Sequence, residues 1–309
     1  MIVKILGSAA GGGFPQWNCA CAQCAAVRAG APGHLARTQA SVAVSADGAN
    51  WLLLNASPDL RAQIAATPAL WPRANGPRRA SPIKAVALAN ADVDAVAGLL
   101  SLREGQAFAL YASDRVLQTL QANLIFDVLT PGTVTRAALP PGVPTAVTGA
   151  GEDIGLDIEA FAVPGKVPLY LEREGEAGFG TATGDTIGFR VFERASGKAL
   201  FFIPACARLD EPLARRLENA GLVLFDGTLW REDEMIGQGL TPKTGARMGH
   251  MVMGGADGSI AAFASLGVKT KVFIHVNNSN PVLNAFSPER AEATRAGWII
   301  GEDGMEFTP

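Results

Sequence analysis

The chain reads as a layered α/β protein in which helices cover two stacked sheets. Short apolar, β-rich runs bounded by Gly, Pro or Asp alternate with helix-like stretches over the whole length. Several runs are apolar without interruption, as strands covered on both faces require. A chain of 309 residues with 48% hydrophobic and 18% charged side chains can also bury a large core without disulfides. No linker, low-complexity tail or short-period repeat divides it, so a single domain over residues 1–309 is expected, built of two similar halves.

Strands are predicted over residues 2–6, 40–45, 51–55, 85–89, 107–111, 200–203, 222–225 and 272–275. Helices are predicted over 58–66, 94–104, 114–123, 211–220 and 256–266. Asp114 and Asp210 stand at helix N-termini, where a carboxylate accepts from free backbone amides. Residues 131–188, rich in Thr, Pro, Gly and Val, read as strands, hairpins and long loops. Within them the Gly-rich segment 174–184 is either a flap or an exposed connection.

Charge and targeting signals narrow the function. A net charge of -3 without Lys/Arg runs argues against nucleic acid or an anionic membrane as the main partner. The apolar run Met1–Leu6 is too short for the centre of a signal peptide, and no apolar stretch approaches a membrane span. With only four cysteines, three of them clustered, the cytoplasm is the expected compartment. Chemistry on a small molecule or peptide remains.

The clustered cysteines form Cys19-x-Cys21-x-x-Cys24, directly after the loop Gly7-Ser8-Ala9-Ala10-Gly11-Gly12-Gly13. Disulfides among them would close very small, strained loops, whereas three nearby thiolates can turn onto one zinc ion. The glycines lack both the Gly-x-Gly-x-x-Gly spacing and the Gly-Lys-Ser/Thr of phosphate loops, and read as a tight backbone turn beside a site. A closed tetrahedral site needs one more donor. Cys206 follows a buried strand and reads as packing, so His250, in Gly249-His250-Met251, is favoured as the fourth ligand of a structural zinc.

A second constellation is acidic. Asn90, Asp92 and Asp94 follow the strand 85–89, and alternate residues at a strand end can converge on one point. Helix caps and turn residues are the competing reading. Asp226 follows the apolar strand 222–225, and His275 ends the strand 272–275 just before Asn277-Asn278-Ser279-Asn280-Pro281. Carboxyl ends of strands in α/β layers are where ligands collect.

Further motifs fall in one order along the chain: Phe14-Pro15-Gln16-Trp17-Asn18-Cys19-x-Cys21-x-x-Cys24, Asn90-x-Asp92-x-Asp94, Phe225-Asp226-Gly227-Thr228-Leu229-Trp230, Gly249-His250-Met251 and His275-Val276-Asn277-Asn278-Ser279-Asn280-Pro281. Together they resemble the pyrroloquinoline quinone (PQQ) biosynthesis B proteins, a family of the metallo-β-lactamase superfamily, over essentially the whole chain. The resemblance implies an αββα four-layer sandwich. Hydrolases of that superfamily carry His-x-His-x-Asp-His where this chain has Asn90, Asp92, Asp94 and Ala95, so a histidine-rich zinc pair cannot be assembled. The implied chemistry is Fe(II)- and O2-dependent hydroxylation of the tyrosine ring in a glutamate-tyrosine species derived from a precursor peptide, a step of PQQ biosynthesis.

A related branch of the superfamily closes a similar cysteine run with a later Gly-His-Met, which supports His250 on zinc. Asp92, Asp94, Asp226 and His275 are then the candidate catalytic residues and Fe(II) ligands, with one imidazole among oxygen donors. Asn90, Asn277 and Asn278 are expected to hold substrate. The set departs from a two-histidine, one-carboxylate triad, because His34 reads as an exposed loop residue.

Two competing functions keep the fold and drop the chemistry. One is a carrier for PQQ or an intermediate; the other is a structural zinc protein whose acidic residues are only caps. Arg247 and Lys243 read as solvated surface charge rather than anchors for a substrate carboxylate, and Arg103 with Glu104 as a local ion pair. The expected partner is the small peptide-derived substrate. A homo-oligomer and contacts with other PQQ biosynthesis proteins are left open.

Overall fold

Period-two burial along the strands separates two apolar faces and thereby creates four layers. A computed structural model describes residues 1–309. Its strands are β1 (Ile2–Gly7), β2 (Ser41–Ser45), β3 (Trp51–Leu54), β4 (Ile83–Ala87), β5 (Phe108–Ala112), β6 (Val134–Ala138), β7 (Thr145–Gly149), β8 (Glu152–Ala162), β9 (Ile187–Glu193), β10 (Ala199–Ile203), β11 (Leu222–Asp226), β12 (Thr270–Ile274), β13 (Trp298–Ile300) and β14 (Glu306–Phe307). One seven-stranded sheet runs β14-β1-β2-β3-β4-β5-β6 and the other β13-β12-β11-β10-β9-β8-β7. Pairing is parallel from β3 to β6 and from β10 to β13.

On β11, Leu222 and Leu224 face the other sheet, while Val223 and Phe225 face outward; on β4, Ala85 and Ala87 face inward and Val86 outward. The α-helices are α1 (Ala22–Arg28), α2 (Leu60–Ala66), α3 (Val93–Val96), α4 (Asp114–Gln121), α5 (Glu211–Leu217), α6 (Glu234–Gly237), α7 (Gly245–Met248), α8 (Ser259–Ala262) and α9 (Pro288–Arg295). Leu60, Val116 and Leu120 cover the outer face of the first sheet; Leu213, Leu217, Phe263 and Ala293 cover that of the second. The result is the expected αββα sandwich. Trp298 stacks on Phe273 with centroids 3.7 Å apart and meets the edge of Phe263 at 5.0 Å, anchoring the outer core of the second sheet. No helix is long and apolar enough to cross a membrane.

Helix lengths depart from the sequence reading for identifiable reasons. The stretch 94–104 becomes α3 followed by a 3-10 segment, Ala97–Leu102. There Gly98 lies so close to the backbone that a Cβ would stand 2.1 Å from the Ser57 carbonyl oxygen. Only Ser259–Ala262 of 256–266 is α-helical, because Gly254, Gly255 and Gly258 shape a turn ahead of it. The cap of α4 is Ser113, whose hydroxyl accepts from the Val116 N–H, and Asp114 lies in the first turn; Asp210 caps α5 by accepting from Leu213 N–H at 3.0 Å. Residues 131–188 hold β6, β7 and β8, and Arg103 pairs with Glu104 at 3.5 Å, both as expected.

Candidate metal centres

Chain geometry after the Gly-rich loop gathers the first donor set. Gly12 and Gly13 take φ of 94° and 71°, which only glycine adopts without strain, and the turn they make delivers Cys19. Helix α1 starts directly after Cys21, so Cys24 points inward from its first turn. The three Sγ atoms lie within 4.8 Å of one another and none forms a disulfide. Burial, then the neighbouring thiols, push Cys21 up to about 11, while the Cys21 N–H holds Cys19 below its ordinary value against desolvation. Such crowded, unpaired thiols fit a soft divalent cation, and three thiolates fit zinc.

Asn278 is the side chain that closes this cluster. Its Nδ2 donates to Cys19, Cys24 and Cys21 Sγ at 3.2, 3.4 and 3.7 Å. Turned end for end, the same carboxamide presents Oδ1 as a fourth donor. The expectation that Asn277 and Asn278 hold substrate is therefore corrected. Asn278 is engaged by the thiols, and Asn277 is buried with its amide on Ser279 Oγ.

His250 belongs to a different cluster. Its Nδ1 lies 2.7 Å from Asp226 Oδ2, and its ring stacks on that of His275 with centroids 5.2 Å apart. Ligand atoms of Asp226, His250 and His275 all lie within 4.8 Å of one another, and His250 is no member of the thiol group. The physical cause is the local chain path. Gly249, left-handed at φ 85°, ends α7, and Met251, just after His250, donates its N–H to the Cys206 carbonyl at 2.7 Å. Residue 250 is thereby set over the end of β11. Two imidazoles and one carboxylate now stand together, so the departure from that triad inferred from sequence disappears.

The other donors come from strand ends. Asp226, the last residue of β11, shares the inter-sheet face of Leu222 and Leu224 and is fully buried. Its Oδ2 accepts from Cys206 N–H at 2.8 Å and its Oδ1 from Thr228 N–H at 3.0 Å. His275 takes φ 56°, a conformation that costs a bulky residue about 1–3 kcal/mol and turns its ring off the alternation of β12. Hydrogen bonds from Val276 N–H to Ser8 O and from Ala10 N–H to Val276 O hold that backbone on the Gly-rich loop. Thr228 ties the set together, its Oγ1 lying 2.6 Å from Asp226 Oδ1, 2.8 Å from His275 Nδ1 and 3.1 Å from His250 Nδ1.

Asp92 and Asp94 stand opposite, at the carboxyl end of β4, and do not join the three-donor cluster. Asp94 Oδ2 sits 2.8 Å from His275 Nε2. Desolvation would raise Asp94, but the His275 contact outweighs it and holds the carboxyl below its usual range; Asp94 in turn lifts His275 against the effect of burial. Burial, then the Asp94 charge, push Asp92 up to about 6. The Asp94–His275 contact joins the two sheets and lines a cavity of about 210 Å³, whose other lining residues include Asn55, Asn90, Asp92, Lys166, Lys243 and His250. Asn90 lines it, with its Oδ1 accepting from the Asp92 N–H. His34 lies elsewhere, bonded to Gln23. Cys206 is buried, as packing requires.

The profile of the Beta-lactamase superfamily domain matches residues 50–276. Coenzyme PQQ synthesis protein B of Rhodopseudomonas palustris is 52% identical over 307 residues, covering 99% of each chain. The protein of the same name from Bradyrhizobium diazoefficiens is 50% identical over 308 residues, 99% of this chain and 98% of the relative. The 1.98-Å crystal structure of Zn2+-bound PqqB from Methylobacterium extorquens has a TM-score of 0.93 at 47% identity, covering 100% of both chains. A diphosphatase of the PhnP family, at 18% identity and a TM-score of 0.66 over 99% and 96% of the chains, shares the fold.

Proposed function

Because the chain belongs to the coenzyme PQQ synthesis protein B family of the β-lactamase superfamily, and so acts in PQQ biosynthesis, we propose that its step is Fe(II)- and O2-dependent hydroxylation. The substrate is the tyrosine ring of a glutamate-tyrosine species derived from the precursor peptide. One observation carries this reading: Asp226, His250 and His275 bring two imidazoles and one carboxylate within 4.8 Å, the donor set of non-haem Fe(II) oxygenases. Bound there, Fe(II) supplies the redox chemistry that makes O2 reactive toward an aromatic ring.

The chain's own residues orient that set. Thr228 Oγ1 holds Asp226, and Asp94 fixes Nε2 of His275 as an outer partner of a ligating imidazole does, so that Nδ1, on the side of Asp226, is the His275 atom that would take the metal. Segment 165–186 covers the cavity, with the Tyr170 hydroxyl donating to the Ala91 carbonyl at 2.8 Å, and so limits water. Zinc is assigned to Cys19, Cys21 and Cys24, a donor group separate from Asp226, His250 and His275, with a structural role. A zinc-bound relative at 47% identity supports that metal.

The test is direct. Protein loaded with Fe(II) under argon, given L-glutamyl-L-tyrosine and a two-electron reductant such as ascorbate and then air, is expected to yield a product heavier by one oxygen atom, labelled when 18O2 is used, with the second oxygen atom leaving as water. Bound iron with intact dipeptide after aeration overturns the reading and leaves the carrier role.

A further inference from the structure

We propose that the cavity wall formed by Lys166 and Lys243 is a carboxylate receptor, which selects an anionic, tyrosine-containing substrate and seats its acid end opposite the metal-ligating cluster. The inference rests on the hydroxylase reading for the identity of the ring, and adds what holds the rest of the molecule.

Charge on that wall is unequally shared. Lys166 Nζ meets Glu172 at 2.7 Å, and Arg247 grips the same carboxylate through both terminal nitrogens, at 3.1 and 2.7 Å. The Arg247 guanidinium also lies 3.6 Å above the centre of the Phe179 ring. Arg247 is therefore spent on holding segment 165–186 in place, which corrects its reading as solvated surface charge. Glu172 is 9% exposed, and Arg247, ahead of the smaller contribution of Lys166, holds it down to about 2. It is a fixed anion.

Lys243 has no such partner. No carboxylate lies within ion-pair distance of it, yet it is half-buried and lines the same cavity as His250 and His275. Lys166 and Arg247 thus share the Glu172 carboxylate while Lys243 stays unpaired, which leaves positive charge at this end of the lining, and Asp92 and Asp94 put negative charge on it beside His275. A ligand that satisfies both ends carries an anion at one end and a group directed at the metal cluster at the other. A small acid bearing a phenol has that polarity, and a neutral phenol does not.

The experiment is a binding comparison made without turnover. Metal-loaded protein under argon is titrated by calorimetry with L-glutamyl-L-tyrosine and with its diamide, in wild type, Lys243→Met and Lys166→Met. Wild type is expected to prefer the diacid by about tenfold or more, the worth of one charged hydrogen bond. Lys243→Met should lose about tenfold for the diacid and leave the diamide within a factor of two. Unchanged diacid affinity, or an equal loss for both ligands, overturns the receptor. Lys166→Met is read the same way, with the thermal midpoint confirming that segment 165–186 stays folded. Turnover separates the two readings: carboxylate-selective binding without oxygenated product removes the hydroxylase and keeps the receptor, and oxygenation of the diamide with unchanged KM does the reverse.

Discussion

The two candidate metal centres are built in opposite ways. In the thiol cluster the three sulfurs come from Cys19, Cys21 and Cys24, a single turn and the start of α1, so local chain geometry nearly suffices to assemble it. In the second cluster the donors are Asp226, His250 and His275, each delivered by a different segment: β11 and β12 lie side by side in parallel register, and the turn after Gly249 brings His250 over them. The first is soft in donor type and largely buried; the second mixes oxygen and nitrogen and opens on a cavity. A local, closed site stabilises the fold, whereas a site assembled from distant strand ends is placed where substrate can enter.

The largest effect should come from breaking the first. Cys24→Ser removes a buried thiol and with it the zinc, whose binding free energy is also folding free energy. A loss on the order of 5 kcal/mol is expected, read as a fall in the urea midpoint together with loss of zinc by elemental analysis. A variant that loses zinc yet keeps its midpoint would show that the cluster is no clamp.

Next is His250→Ala, which tests the assignment that sequence alone reversed. With the ring beside Asp226 and His275, the variant should keep one zinc per chain, lose iron and lose about a thousandfold or more in turnover, roughly 4 kcal/mol of barrier. Loss of zinc with iron retained would return His250 to the thiols.

That reversal marks how far sequence reading reached. The layers, most strands and the cysteine cluster were legible because periodicity and spacing are local signals. Asp226 and His275 were legible as polar residues at the ends of apolar strands. His250 and Asn278 exchanged roles because their placement depends on contacts that spacing does not encode: the left-handed Gly249 and the Met251–Cys206 hydrogen bond carry His250 to β11, and the loop after His275 carries Asn278 to the thiols. Thr228 went unnoticed inside Asp226-Gly227-Thr228, although a hydroxyl two residues after a strand-end acid is well placed to bond it. Lys166 and Glu172, in loop-rich sequence, gave no signal at all.

A third effect sharpens the comparison from behind the thiols. Glu234 is 1% exposed, accepts from Ser279 Oγ and the Trp230 N–H, and is pushed by burial up to about 7. In the unfolded chain it titrates near 4.5, so between these values the folded protein holds a proton that the unfolded chain has released. Stability contributed here is present below about 4.5 and lost as pH rises to about 7, by up to about 3 kcal/mol, then level above. Glu234→Gln should remove that slope between pH 5 and 8 in urea unfolding while leaving iron affinity unchanged. An identical slope in both proteins would exclude Glu234 as its source.

The smallest effect probes a side-chain bond that joins the halves of the second site. Asp94, from the first sheet, reaches His275, from the second, at 2.8 Å, and its charge favours the ring as a donor. Asp94→Asn keeps the shape and one hydrogen bond but removes the charge, so the ligating histidine becomes less basic and less firmly oriented. Iron affinity should fall about tenfold, or ~1.4 kcal/mol, with zinc content and the urea midpoint unchanged. If Asp94 were itself a ligand, as the oxygen-rich set read from sequence has it, the loss would approach that of His250→Ala. Titrating Fe(II) into both variants under argon decides between an outer partner and a fourth donor, and with it whether the first sheet supplies a metal ligand or only the support for one.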